Sequence, residues 1–499
     1  MKQYIFFNTE PNVNILGLDP ILHAFWSDDM QRVAGFILSE FVYKLEDEIF
    51  EAGCLKKEWE EMAINLFNRF KVDRNYPKFI HNELEKRGQE VYNYCLETLN
   101  KNKKGGLAID EKKQRIMHMF NLYTRMCVPG LIGPIIEFGC GGMSQAIKEI
   151  LEKKDLLQAQ TNIGQALSLL AQPTQLTWTE QAWNALHEIA QEIYEQKIDL
   201  NNLSSLLEQK VNDHIEKWGW VFYGYCGPAY SIKNILDDLQ TILEMDMPPK
   251  DHLKQLQDEF EEKGRQQQTL MNKLDFVEDE QYMIETAQDF GYTKAYRTGL
   301  MGLVNYAINL LLRDFARKEG YSMKQIGVLS KREMTSYLQG EHALPHIDEL
   351  NKRLVYTLFL SREDSDTVLT GKEAQQWVAN NIEQEAVDEN LSELEGTIAC
   401  TGDKEQVSGI VRIVLSPKDL HKVQEGDILL STTTIPEYVP AMRRATAIVT
   451  QTGGLTCHAA IVSREMNKPC LIGAKHLLQI FQDGDRVEVD LNKSIIRKL

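Results

Sequence analysis

At Gly396 the chain changes the period in which it is written, and that change divides it into two parts that fold by different rules. Up to about residue 385, apolar residues recur three and four apart, as in Met30–Phe50, Ile116–Tyr123, Gln181–Glu195, Ser204–Trp218 and Thr293–Glu319. That is the spacing of amphipathic helices. Turn signals at Lys104-Gly105-Gly106, Gln172-Pro173-Thr174, Met247-Pro248-Pro249 and Leu344-Pro345 separate them. No period-2 strand of convincing length and no fixed-length repeat stands out. Beyond Gly396 come short β-rich runs bounded by Gly, Pro or Asp: Gly396–Cys400, Gly409–Val414, Asp427–Leu430, Ala447–Thr450, Cys470–Ile472 and Arg486–Val489. One clear helix follows His458, with Ala459, Ile461, Val462 and Met466 apolar. The expectation is a multidomain α + α/β protein. A large, mostly helical region (1–385, with room for two subdomains) leads through an acidic linker (386–395) into a small α/β domain (396–499).

The charge divides close by, at Leu391. Of a net −18 over 499 residues, the last 109 contribute nothing, with thirteen acidic and thirteen basic side chains. The acidic balance argues against nucleic acid or an anionic membrane as partner, both being polyanions. No run approaches the roughly 18 apolar residues that span a bilayer, and the N-terminal apolar run is too short for a secretion signal. Eight scattered cysteines without a Cys-x-x-Cys pair read as reduced thiols, so a cytoplasmic location is expected.

The sharpest chemical feature is the stretch from Val449 through Gly453-Gly454-Leu455-Thr456-Cys457-His458 to Glu465. A strand ends at Thr450, two glycines turn the backbone, and a helix begins near Thr456, the expected N-cap. Unpaired amides at a helix start attract anions. An imidazole in the first turn, at His458, is placed to carry a phosphoryl group. Cys457 has no dedicated base in the sequence and reads as a small helix-start residue. Arg464 and Glu465 read first as an ion pair or a solvated helix face.

This stretch resembles the phosphohistidine signature of the mobile, or swivelling, domain of phosphoenolpyruvate-utilising enzymes. The group includes phosphoenolpyruvate synthase, pyruvate phosphate dikinase and rifampicin phosphotransferase. Further blocks match in order: Gly426–Leu430, Thr434-Ile435-Pro436-Glu437, Ala447–Thr450, Asn467–Gly473 and Asp483–Asp490. The resemblance implies that His458 carries phosphate, with Thr456 beside it, Gly453 and Gly454 as the phosphate-binding turn, and Cys457, Arg464 and Glu465 in support. Many members have Ser where this chain has Cys457.

The resemblance also implies what ought to accompany such a domain. No ATP-grasp pattern, no phosphoenolpyruvate barrel and no Gly-x-x-x-x-Gly-Lys-[Ser/Thr] loop is recognised in the sequence. The cluster Gly139-Cys140-Gly141-Gly142-Met143-Ser144 reads as a helix-breaking turn before a phosphate nest. Asn8–Pro11, Arg297 and Ile326–Glu333 resemble, more weakly, the helical segment of rifampicin phosphotransferase, although the Gly-His-Arg element expected near Gly224–Pro228 is absent. The aromatic run with Trp218, Trp220, Tyr223 and Tyr225 reads as core or as the lining of an acceptor pocket. His342 and His346, broken by Pro345, do not make a metal site, and none is expected. The resulting expectation is a phosphotransferase, or a subunit of one. An ATP-grasp protein supplied in trans would hold ATP and Mg²⁺ and charge His458, and the helical region would hold a small-molecule acceptor. The alternatives are a non-catalytic binding relative and a stand-alone subunit of a phosphoenolpyruvate synthase-like enzyme.

Overall fold

The computed structural model describes residues 3–499 except 12, 47, 48, 157, 160, 162, 383–390, 403, 436, 437, 455 and 456. Its centre is the helix Glu278–Glu319, 42 residues long, which packs against the helices Tyr76–Gly105 and Ile109–Gly130. This helix is apolar on several sides, burying Leu300, Leu303, Val304, Ala307, Ile308, Leu311 and Leu312, as a helix surrounded by others must. Glu278, Asp279 and Glu280 stand in its first turn and Arg317 and Lys318 in its last, charges that complement the helix dipole. Gly320 in the left-handed conformation ends it.

The helical region also contains a sheet that periodicity did not reveal. Five antiparallel strands, β1 (Tyr4–Pro11), β2 (Glu40–Glu46), β3 (Ile49–Leu55), β4 (Tyr356–Arg362) and β5 (Asp366–Thr370), lie in the order β1-β3-β2-β4-β5. Phe41, Tyr43, Phe50 and Phe359 face the main core, while Val42, Tyr356 and Leu358 pack under the helix Gly371–Asn381. With apolar residues on both faces, β2 and β4 show no alternation to read. The segment Met30–Phe50, expected to be helical, is therefore a helix only over Asp28–Ala34 before β2 begins. The helices Trp178–Gln196, Ser205–Trp218 and Ile232–Leu243 enclose a separate small core around Leu186, Val211 and Leu239.

The second sheet has eight strands: β6 (Glu393–Glu395), β7 (Thr397–Cys400), β8 (Gln406–Ile413), β9 (Ile428–Ser431), β10 (Ala447–Thr450), β11 (Cys470–Ile472), β12 (Arg486–Asp490) and β13 (Ile495–Lys498). Their order is β6-β13-β12-β8-β9-β10-β11-β7, with β8 to β11 parallel. The sheet thus takes in Glu393–Glu395, assigned from sequence to the linker; the linker's residues 386–390 lie outside the described residues. Parallel neighbours require a crossover, and the helix His458–Glu465 supplies it between β10 and β11. Among the described residues no helix is long and apolar enough to cross a membrane, and none of the eight cysteines is in a disulfide.

A buried polar network ties the first sheet to the helices. Tyr43 donates its hydroxyl to Asp19 at 2.9 Å, and the Lys331 amide donates to the same carboxylate at 2.6 Å. Burial alone would push the Asp19 carboxyl up, but His23, the Lys331 amide and Tyr43 together hold it below its ordinary value. Asp19→Ala would leave Tyr43 and the Lys331 amide unsatisfied in the core and is expected to cost about 3 kcal/mol in urea unfolding at neutral pH. Because the folded carboxyl is depressed, this contribution is full above the unfolded carboxylate pKa. The gap between wild type and variant should shrink as pH falls below it.

Candidate active site

β9 and β10 are adjacent and parallel, so the loops leaving their C-terminal ends lie side by side, where open α/β sheets place their ligands. The chain after β10 is sewn to the loop after β9. Gln451 N–H donates to the Ser431 carbonyl at 2.9 Å, and Thr452 donates its amide and its hydroxyl to the Thr432 carbonyl, each at 2.9 Å. The Thr450 hydroxyl closes the turn onto the Thr452 carbonyl at 2.8 Å. Gly453 then adopts a φ of +125°, which a residue with a Cβ rarely adopts; a methyl there would stand 2.8 Å from Cys457 Sγ.

This stitching brings His458 to Thr434. The His458 ring, largely enclosed in the first turn of its helix, shares a 2.7 Å hydrogen bond between Nδ1 and the Thr434 hydroxyl oxygen. Burial pushes its pKa down to about 4, so the imidazole is neutral at physiological pH. In the tautomer whose Nδ1–H donates to Thr434 the lone pair lies on Nε2, the nucleophilic form; in the other the Thr434 hydroxyl donates to Nδ1 and Nε2 carries the proton. Thr434 was visible in the sequence only as part of a family block; the parallel pairing of β9 and β10 is what gives it a role.

The other expected residues divide. Cys457, not Thr456, occupies the N-cap position, and its side chain makes no capping hydrogen bond; Thr456 itself lies outside the described residues. Burial raises the Cys457 thiol above its ordinary pKa, which suits a packing residue better than a nucleophile. Arg464 reaches toward the helical region. Its Nε donates to Ser168 Oγ and to the Ala399 carbonyl, each at 3.1 Å, joining the helix Ile163–Leu170 to β7. The Glu465 side chain lies outside the described residues.

Gly454 faces the helical region. A Cβ there would lie 3.0 Å from Glu137 Oε1, so the glycine permits the carboxylate its close approach. Glu137 sits on the helix Ile132–Cys140, and Gly141 breaks that helix from Gly142–Leu151 in the left-handed conformation, a turn as the sequence suggested. Between this corner and the Gly454 loop is a cavity of about 40 Å³, lined by Pro134, Glu137, Phe138, Ser144, Phe290 and Lys294 among others. Lys294 has neither a hydrogen bond nor an ion pair among the described residues; its ammonium stands 5.9 Å from the Phe138 ring centre. Burial lowers its pKa, partly offset by Cys457, Glu10 and Glu137. One turn along the same helix, Arg297 is buried, with its stem against Gly130 and its Nε without a hydrogen-bond partner. Neither Glu137 nor Lys294 has a local motif that announces it.

Of the four aromatic residues considered for an acceptor pocket, Trp218, Trp220 and Tyr223 are buried packing residues. Trp220 lies against Trp178 and Tyr92, with its Nε1 donating to the Lys217 carbonyl at 2.7 Å. Tyr225 alone turns toward Arg297 and Glu10, where burial raises its hydroxyl pKa strongly. His342 and His346 stand apart on the surface, one bonded to Ser336 and the other beside Asp348.

The parallel strands thus present a histidine, its Nδ1 engaged by Thr434, at the start of the crossover helix that follows β10. Comparison with known proteins makes this specific: residues 423–494 match the family described as PEP-utilising enzyme, mobile domain. The chain is 47% identical over 116 residues to a probable phosphoenolpyruvate synthase of Archaeoglobus fulgidus, covering 23% of this chain and 15% of that one. It is 46% identical over 91 residues to the phosphoenolpyruvate synthase of Pyrococcus furiosus (18% and 11%) and 46% over 82 residues to that of Pseudomonas aeruginosa (16% and 10%). The chain therefore spans no more than about a seventh of these relatives, and its C-terminal domain is what it shares with the phosphoenolpyruvate-utilising enzymes.

The depressed histidine has a measurable consequence. NMR titration of ring-labelled protein should show His458 still neutral at pH 6 and protonating near pH 4. Since the unfolded ring binds its proton near 6.5, wild-type stability should fall as pH drops from 6.5 toward 4. His458→Ala should lose less over that window.

Proposed function

We propose that this protein is a phosphotransferase, or a subunit of one, that relays a phosphoryl group on Nε2 of His458 to a small-molecule acceptor held by the helical region. The observation that carries the reading is the partly buried imidazole of lowered pKa whose Nδ1 is engaged by Thr434, so that Nε2 is the nitrogen left to act as nucleophile. In the charging step Nε2 bonds to the donor's phosphorus, and the P–O bond to the leaving group breaks with its electron pair on oxygen. Nδ1 keeps its proton toward Thr434. Loss of the phosphoryl group then returns a neutral imidazole, a far better leaving group than its anion.

The donor site belongs to a partner in this reading: an ATP-grasp protein that binds ATP with Mg²⁺. The acceptor side belongs to this chain, where Lys294 lines the cavity at Gly454 and offers positive charge to an arriving group, with Arg297 one turn along the same helix. The loop closes a cavity of only about 40 Å³, so acceptor entry requires the C-terminal domain to move away from Glu137. The names of the relatives, all phosphoenolpyruvate synthases, support phosphoryl transfer as the class of chemistry.

Incubation with radiolabelled ATP and a candidate ATP-grasp partner should label the wild type with acid-labile, alkali-stable phosphate. His458→Ala should show none. Equal labelling of both proteins would contradict the reading.

A further inference from the structure

Within this reading, we infer that Glu137 accepts the proton of the acceptor's nucleophile, and that the acceptor is therefore an alcohol and not a carboxylate or a phosphate. Glu137 is the carboxylate that meets the histidine loop: its Oε1 comes within 3.0 Å of where a Gly454 Cβ would stand, four residues before His458. It lines the cavity closed by that loop, among Pro134, Phe138, Met143 and Phe290. The Ser144 amide, in the first turn of the helix Gly142–Leu151, approaches its Oε2 at 3.4 Å and fixes which way the carboxylate faces. Burial raises its pKa above that of an ordinary glutamate, toward the range of a working base.

The acceptor class follows from charge and proton count. A carboxylate or phosphate acceptor is already deprotonated at neutral pH and would bring a second negative charge against Glu137. A hydroxyl arrives neutral and must lose a proton as it attacks. Its oxygen bonds to the phosphorus on His458 and the P–Nε2 bond breaks with its pair on nitrogen. The hydroxyl proton passes to Glu137, and Lys294, lining the same cavity, faces the phosphoryl charge. Glu137 reaches the site from a helix more than 300 residues before His458 in the chain, so the base is in place only while the two parts are docked.

The test needs neither the natural donor nor the natural acceptor. The full-length protein is charged with phosphoramidate, desalted, and given ethanol or acetate, with His458→Ala as the blank and ³¹P NMR as the readout. Wild type should form ethyl phosphate and no acetyl phosphate. Glu137→Gln should charge His458 normally but form ethyl phosphate about 100-fold more slowly, the order expected for loss of a general base. Glu137→Asp, which keeps the carboxylate, should recover part of the rate, which a merely structural role would not require. Unchanged transfer in Glu137→Gln, or acetate phosphorylated faster than ethanol, overturns the role of Glu137 and leaves the phosphohistidine intact. Absence of any His458-dependent phosphohistidine signal overturns the relay itself, and this inference with it.

Discussion

The hydrogen bond between Thr434 and Nδ1 of His458 is the constraint on which the site depends, because it occupies one ring nitrogen and sets which way the ring faces. It exists because β9 and β10 run parallel and adjacent, so that the residues following each strand are held together by the backbone bonds of Gln451 and Thr452 to Ser431 and Thr432. The glycines do different work from each other. Gly453 supplies a backbone conformation closed to most residues, and Gly454 supplies room for a carboxylate from another part of the chain. The motif thus serves both the internal geometry of the C-terminal domain and its seat on the helical region.

That seat combines apolar packing with a few polar contacts. Ser168 and Arg464 bridge to the Ala399 carbonyl, Lys148 lies 4.0 Å from Glu395, and Glu137 meets Gly454. Few of these are charge pairs, which agrees with a C-terminal domain whose acidic and basic side chains balance while the remainder of the chain carries the whole −18. Apolar packing joins the two parts as well: Leu167, Leu170 and Ala171 share one buried cluster with Ala399, Cys400, Ala459 and Val462, so separating the parts would expose apolar surface.

Much of the C-terminal domain was legible because its signals are local. Glycines at a strand-to-helix turn, short β runs ending in Gly or Asp, and a histidine at the helix start are all readable within a dozen residues. The first sheet was not, since β2 and β4 are apolar on both faces and β4 follows β3 only after 300 residues of helices. Trp218, Trp220 and Tyr223 were ambiguous because aromatic residues near glycines line pockets and cores alike; here Trp178, Tyr92 and Tyr306 claim them for packing. Glu137 and Lys294 were invisible for the opposite reason. Neither lies in a motif, and only the approach of the Gly454 loop to two helices gathers them.

The most decisive property of the proposed site is the atom that carries the phosphoryl group. Phosphorus–nitrogen couplings in protein labelled with ¹⁵N at the histidine rings, recorded after charging, read this directly. Phosphorus on Nε2 of His458, with Nδ1 still protonated, is the predicted result, because Thr434 holds Nδ1. Phosphorus on Nδ1, or a charged protein whose phosphate is on no histidine, would contradict it.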